Sequence, residues 1–258
     1  ARGAGSGASL SIGKLPAIST SQGITANLGA LCLLAAGDAN GFVFSNAEMT
    51  IGLGGVNSAG TPVAGTINGL MRTHAAGQHA NASLTAISVN GLQVKDVSAV
   101  TTGGQSKAGM LLQASGNGTF SANYVSASSY AERSMTDVRL MSADGNLLIG
   151  GPLSALASGD GSTASININS KAGAITLSSG SGTTVTYGDI SVIASGSTLQ
   201  LSGTEARTSA SVSLSSVTGS IRVGALNLLA SGTNSVATLV ADAARGTLSV
   251  NGPTVVET

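Results

Sequence analysis

Aromatic side chains are nearly missing from this sequence, which has no tryptophan, three tyrosines and three phenylalanines in 258 residues. A site that held sugar rings or single-stranded nucleic acid by stacking would have little to stack with. Charge is almost as scarce. Asp, Glu, Lys and Arg make up 9 % of the chain, against about 25 % in an average soluble domain. The 11 basic residues balance 11 acidic ones and stand singly from Arg2 to Arg245, without the basic stripe that a polyphosphate partner requires. Nucleic acid is therefore not an expected partner. Cys32 is the only cysteine, which excludes an intrachain disulfide and a multi-cysteine metal site. Its setting, Leu31-Cys32-Leu33-Leu34, predicts a buried thiol. The longest apolar stretch, Leu28 to Ala36, is about nine residues, half of the roughly 18 that a membrane-spanning helix needs. No transmembrane segment is expected. The start, Ala1 to Gly7, is glycine-rich and lacks the apolar core of a signal peptide, so the chain reads as a mature protein or a fragment.

What is abundant is glycine, 37 residues, together with a hydrophobic fraction of 42 %. The wet layer must then be built from Ser, Thr, Asn and Gly. An internal repeat accounts for this mixture. Val138-Arg139-Leu140-Met141-Ser142, followed by Gly145, Leu147 and Ile149, sets the pattern: apolar, x, apolar, x, Ser, x, x, Gly, x, apolar, x, apolar. It returns at Ile166 to Leu177, at Val212 to Val223 and, with Ala in the Ser place, at Leu239 to Val250. A slipped copy is read at Ile190 to Leu201. Anchor glycines fall at Gly118, Gly145, Gly173, Gly196, Gly219 and Gly246, with Gly91 and Gly69 as weaker upstream candidates and Ala47 as a substitute near the start. Their spacing implies about ten coils of 22–28 residues.

Within each copy apolar residues alternate with polar ones, the period of strands rather than of helices. A third strand per coil is expected at Leu153 to Leu156, Thr184 to Tyr187 and Leu226 to Leu228. The predicted fold is all-β, a right-handed parallel β-helix (β-solenoid) forming one domain over 1–258, clearest from 111 to 250 and less regular, with room for loop excursions, from 52 to 105. Inward residues would stack as ladders about 4.8 Å apart, an arrangement with little room for large aromatics. Corner glycines are expected to supply positive φ angles. A β-sandwich array also fits short strands with frequent turns, but a repeat near 25 residues is too short for an independent sandwich.

The copies at Ile166 to Leu177, Ile190 to Leu201 and Val212 to Val223 resemble the filamentous-haemagglutinin-like exoproteins of two-partner secretion and, beside them, autotransporter passengers. The resemblance covers about Leu111 to Val250. It implies a secreted shaft projecting from a bacterial surface that serves adhesion, aggregation or matrix formation. The Asn-Pro-Asn-Leu motif of the family's secretion domain is missing, so the resemblance implies shaft rather than secretion module. It carries over scaffold positions only and no binding residue.

Enzymes also use parallel β-helices, and such lyases and hydrolases need paired carboxylates with a basic partner in a groove. Here the acids are isolated. Glu132 with Arg133 and Asp137 with Arg139 are the nearest acid and base neighbours, and Tyr124 to Arg139 is the segment richest in function-capable side chains. His74 and His79 are five apart, which on one strand puts them on opposite faces; only a loop would bring them together on a metal. Asp38, Asp144, Asp160 and Asp189 sit beside glycines as turn residues, without the tandem Gly-Gly-x-Gly-x-Asp run of calcium rolls. Asn81 and Asn117 fit the glycan-acceptor pattern, as chance allows in a Ser/Thr-rich chain. No catalytic, metal or cofactor residue is assigned. The reading is an extracellular structural solenoid, an adhesin shaft or filament subunit, which associates end to end with its own copies or continues a longer chain, with a host-surface or matrix glycan as a further partner. The alternative is a carbohydrate-binding or polysaccharide-degrading β-helix of the lyase or tailspike kind.

Overall fold

The computed structural model describes residues 6–12, 27–28, 31–36, 45–53, 55–56, 62–179, 186–196, 207–232 and 234–258, and within them every regular element is a β-strand. One face of the molecule is a sheet of eight strands in chain order: Gly7–Ile12, Asn46–Leu53, Asn81–Ser88, Lys107–Ala114, Met135–Ser142, Thr163–Ser170, Ser209–Ser216 and Val236–Ala243. Every neighbouring pair is parallel and in register. Each strand thus lies on its equivalent one layer earlier, the pairing a chain makes when it winds around an axis.

The other two faces start divided, in Asn27–Leu28 and Leu31–Ala36, which both pair with the next strand, and then run as one for three layers. Gly65–Ala76, Leu92–Thr102 and Phe120–Tyr130 are long strands. After them the strand is cut in two, as at Leu147–Ile149 and Leu153–Ser158, which both pair with Phe120–Tyr130. Gly150, Gly151 and Pro152 make the cut; proline cannot donate to a ladder and ends the pairing there. The same division holds for Ile175–Ser179 and Ile190–Ser195, for Ile221–Val223 and Leu226–Ser231, and for Leu248–Val250 and Thr254–Glu257.

The interior is dry and sorted into columns. Met49, Leu84, Met110, Val138, Ile166 and Val212 occupy one inward position of the first face, and Leu112, Leu140, Ile168 and Leu214 occupy the next. All are fully or almost fully buried. Hydroxyls close the column at the corner. Ser142 Oγ donates to the Gly145 carbonyl at 2.6 Å, Ser216 Oγ donates to the Gly173 carbonyl at 3.0 Å, and the Gly219 amide donates back to Ser216 Oγ at 3.0 Å. That is the physical content of the Ser-x-x-Gly spacing: a buried serine satisfies a turn carbonyl that water cannot reach.

Several expectations are corrected. The glycine column runs Gly118, Gly145, Gly173, Gly219, Gly246, because a Cβ on each would meet the carbonyl of the member before it. Gly196 belongs to another corner, against Ser231 and Asp160. Ile190–Ser195 is therefore no slipped copy but the third-face strand between Leu153–Ser158 and Leu226–Ser231; Leu199 to Leu201 lie outside the described residues. Thr186–Tyr187 is not a third-face strand either, since it pairs antiparallel with Ser178–Ser179 in an insertion, and Thr184 and Val185 are outside the described residues. Gly69 falls at a bulge between Ile67 and Leu70, Gly91 sits one place after the column position held by Asn90, and Ala47 is an inward strand residue. Once Gly196 is removed, the register steps Asn81, Lys107, Met135 and Thr163 are 26, 28 and 28 residues, and Thr163 to Ser209 is 46. Among the described residues the first face holds eight strands. In the irregular stretch from 52, the excursion is an antiparallel pair, Gly55–Val56 with Pro62–Val63. Lastly, none of the five column glycines has positive φ; they are required by close approach of backbone, not by the turn angle.

Candidate functional site

The second kind of corner gathers more chemistry than any other described part of the chain. It leads from the third face back to the first through four residues: Gly77 to Ala80, Gly103 to Ser106, Ala131 to Ser134, Gly159 to Ser162 and Gly232 to Ser235. Its first and third positions have positive φ in each copy, at 77 and 79, 103 and 105, 131 and 133, 159 and 161, 232 and 234. The fourth position turns inward and closes the corner. Ser106 and Ser162 donate to the carbonyls of Gly103 and Gly159, Ser235 donates to Gly232 at 3.0 Å, and Ser134 donates to the Ser158 carbonyl at 2.9 Å.

The second and third positions point outward and stack. The amide of His79 donates to the Gly104 carbonyl at 2.8 Å, that of Gln105 to Glu132 at 2.8 Å and that of Arg133 to Asp160 at 2.7 Å. Gln78, His79, Gln105, Glu132, Arg133 and Asp160 thus form a polar ridge along the stacking direction, with successive layers about 4.8 Å apart. Tyr130, 43 % exposed, stands at its edge. Such a ridge offers hydrogen-bond donors and acceptors of both signs beside one aromatic face.

Ala131 is the exception in this corner, holding φ 146° where its four counterparts are glycines at φ 108° to 128°. A side chain in that region is strained. Ala131→Gly is expected to raise stability by about 1 kcal/mol, net of glycine's greater freedom in the unfolded chain. Urea unfolding would measure it; an unchanged or lowered midpoint would mean the strain is relieved elsewhere.

The remaining sequence candidates are dispersed. Tyr124, 39 % exposed, stands mid-strand, just before the third face begins at Val125, in register with Asp96 and Leu70. Asp137 and Arg139 lie two apart on the outer side of the first face, in a 2.7 Å ion pair, with Ser165 donating to Asp137 at 2.9 Å. Such an exposed pair contributes about 0–1 kcal/mol. The segment Tyr124 to Arg139 is therefore divided between a far corner, the ridge and the first face. Asp189 accepts from the Ala225 amide at 2.8 Å, as a turn residue does. Asp144 is exposed in its turn, and Asp38 lies outside the described residues. Asn81 donates to Asn46 at 2.9 Å, one rung of an amide ladder, and Asn117 is exposed in a turn. Cys32, expected inside, is exposed: in the strand Leu31–Ala36 the parity turns Leu31, Leu33 and Ala35 inward and Cys32 and Leu34 outward.

The two histidines are not brought onto one metal. His74 is on the outer side of the strand Gly65–Ala76, between Leu34 and Val100 in register, whereas His79 is in the corner turn. Among the described residues no group of three or more His, Cys, Asp or Glu is arranged to hold a metal ion. His74 Nε2 is buried without a hydrogen-bond partner. Burial first, and the Arg72 guanidinium second, lower its pKa from the ordinary 6.5. The unfolded chain then takes the proton first, so stability falls as pH drops below 6.5 and levels off once the folded-state pKa is passed. His74→Val is expected to flatten this slope in urea unfolding at a series of pH values below 6.5; an equally steep slope would assign it to other groups.

The corner ridge was not anticipated from sequence, although Gly-x-x-Ser at Gly103, Gly159 and Gly232 carries its signal. Compared with known proteins, this chain matches no family model, no curated protein and no solved structure.

Proposed function

We infer that the chain is an extracellular structural protein: a right-handed parallel β-helix that acts as an adhesin shaft or filament subunit at a bacterial surface, by rigidity and display rather than by catalysis. The observation that carries this reading is the unbroken parallel stacking of eight strands on the first face, closed over a dry core. Right-handedness follows from the general hand of parallel crossovers, right-handed in about 98 % of cases. A scaffold whose inward hydroxyls are consumed in closing its own corners is suited to spacing other things apart. Leu248 and Val256 are 46 % and 45 % exposed, in register with the buried Ile221 and Leu228.

Electron microscopy with fibre diffraction on the purified protein tests the reading: rods or filaments with an axial spacing near 4.8 Å support it, and compact particles without that spacing refute it. A second reading, a glycan-binding β-helix, draws on the ridge, where exposed Tyr130 adjoins Gln105, Glu132 and Arg133. Binding on a glycan array that disappears in Tyr130→Ala would favour it over a pure shaft.

A further inference from the structure

Fifteen outward positions on the third face, three in each of five successive layers, hold no charged residue. Ser98, Ser126, Ser154, Ser191 and Asn227 form one row in register; Val100, Ser128, Leu156, Ile193 and Leu229 form the next; Thr102, Tyr130, Ser158, Ser195 and Ser231 form the third. The rows end at Arg72, in register with Ser98, and at Glu257, in register with Leu229, and the other faces carry charge among their layers. Glu48, Lys107, Asp137, Arg139 and Asp242 stand in strands of the first face at positions left open or half-open, and Lys95 and Arg222 do so on the second. Charges scattered over a flat sheet resist burial against another surface, because each must be desolvated or matched. Only the third face is free of that obstacle over five layers.

We propose that this face is a lateral interface between two copies of the chain. The occupant follows from the relief of the surface. A taller aliphatic row, Leu156, Ile193 and Leu229, runs between two rows of mostly serine. Shifted by one row, the aliphatic ridge of one copy lies over a serine row of the other and the reverse contact forms at the same time. Two sheet faces so packed lie about 10 Å apart. Because both copies use the same patch, the contact is isologous and closes at two chains. Five layers about 4.8 Å apart and five residues rising about 3.3 Å each, with side-chain margins, give roughly 500 Å² per copy, below the roughly 800 Å² per partner of a standard stable interface. The pairing is accordingly expected to be weak and reversible, and is sought at micromolar to submillimolar concentrations. It goes beyond the axial contact, since it lies mid-chain and uses neither terminal layer.

Sedimentation of the full chain from about 5 to 500 µM, spanning that range, is the experiment. The wild type should pass from monomer to dimer. Ile193→Glu and Ser154→Arg should each weaken pairing at least about tenfold, since a charge enters the buried patch, with unchanged circular dichroism and melting. Ser213→Glu, at an outward position of the first face between Asn167 and Val240, should pair like the wild type. Two variants guard against one failing to fold. A wild type that stays monomeric throughout, or dimers indifferent to both third-face charges, overturns the proposal. Dimers abolished by Leu248→Glu but not by Ile193→Glu overturn it in favour of the axial contact, while loss through Ile193→Glu alone supports the lateral face whether or not filaments form.

Discussion

Replacing Gly145 with alanine is expected to lower stability by about 3–5 kcal/mol, the upper range for a single substitution. A Cβ at Gly145 would lie 2.1 Å from the Gly118 carbonyl oxygen and 2.6 Å from its carbon. Both are backbone atoms of the adjacent layer, so no side chain can swing aside. Relief would have to come from spreading two layers that are hydrogen-bonded on either side of the corner, Phe120 to Asn146 at 2.9 Å and Ala143 to Ala114 at 3.0 Å. Gly173, Gly219 and Gly246 face the same obstacle at 2.1, 2.3 and 2.2 Å and should behave alike. Gly104 is the control. Nothing lies within 4 Å of its Cβ position and its φ is not positive, so Gly104→Ala should be neutral or stabilise by up to about 1 kcal/mol, through the unfolded chain. Chemical unfolding of the four corner variants and the control measures the contrast; corner and control variants of equal stability would show that the layers can part at little cost.

That contrast also explains how much of the molecule could be read in advance. The alternation Val138, Leu140, Ser142 with Leu147 and Ile149 specified two strands, the face each presents and the corner between them, and the structure keeps that register through Ile166, Val212 and Leu239. What could not be read was which glycine serves which corner. One stack needs glycine for space alone and the other, at Gly103 and Gly159, for space and positive φ together, and a sequence shows the same letter for both. Hence Gly196 entered the wrong series, and the 46-residue step from Thr163 to Ser209 was divided into two coils. The polar ridge was obscured for a related reason. His79, Gln105, Arg133 and Asp160 share no side-chain chemistry, and only the layer stacking places them together. Cys32 was misplaced because an apolar run conceals its own parity: in Leu31 to Ala36 both faces carry hydrophobic residues.

The largest effect expected in the core belongs to Phe120, among the described residues the one large aromatic buried in an interior expected to leave little room for it. It is fully buried in the column of Leu92 and Leu147. Space comes from its neighbour two residues on. Where the adjacent layers pair Leu92 with Val94 and Leu147 with Ile149, this layer pairs Phe120 with Ala122, so a large and a small residue replace two of middle size. Phe120→Ala would leave two alanines in one layer, with a cavity that the rigid neighbouring layers cannot close, at a cost of about 3–5 kcal/mol. Phe120→Leu should cost about 1–2 kcal/mol. Adding Ala122→Val to it should recover most of that loss, because the layer then has the composition of the one below it and volume-conserving exchanges are tolerated. The double-mutant cycle is decisive through its sign. Ala122→Val alone should overpack the layer by about 1–3 kcal/mol, so compensation predicts a favourable coupling between the two positions. Additive losses would mean that Phe120 and Ala122 are accommodated independently and that each layer sets its own width.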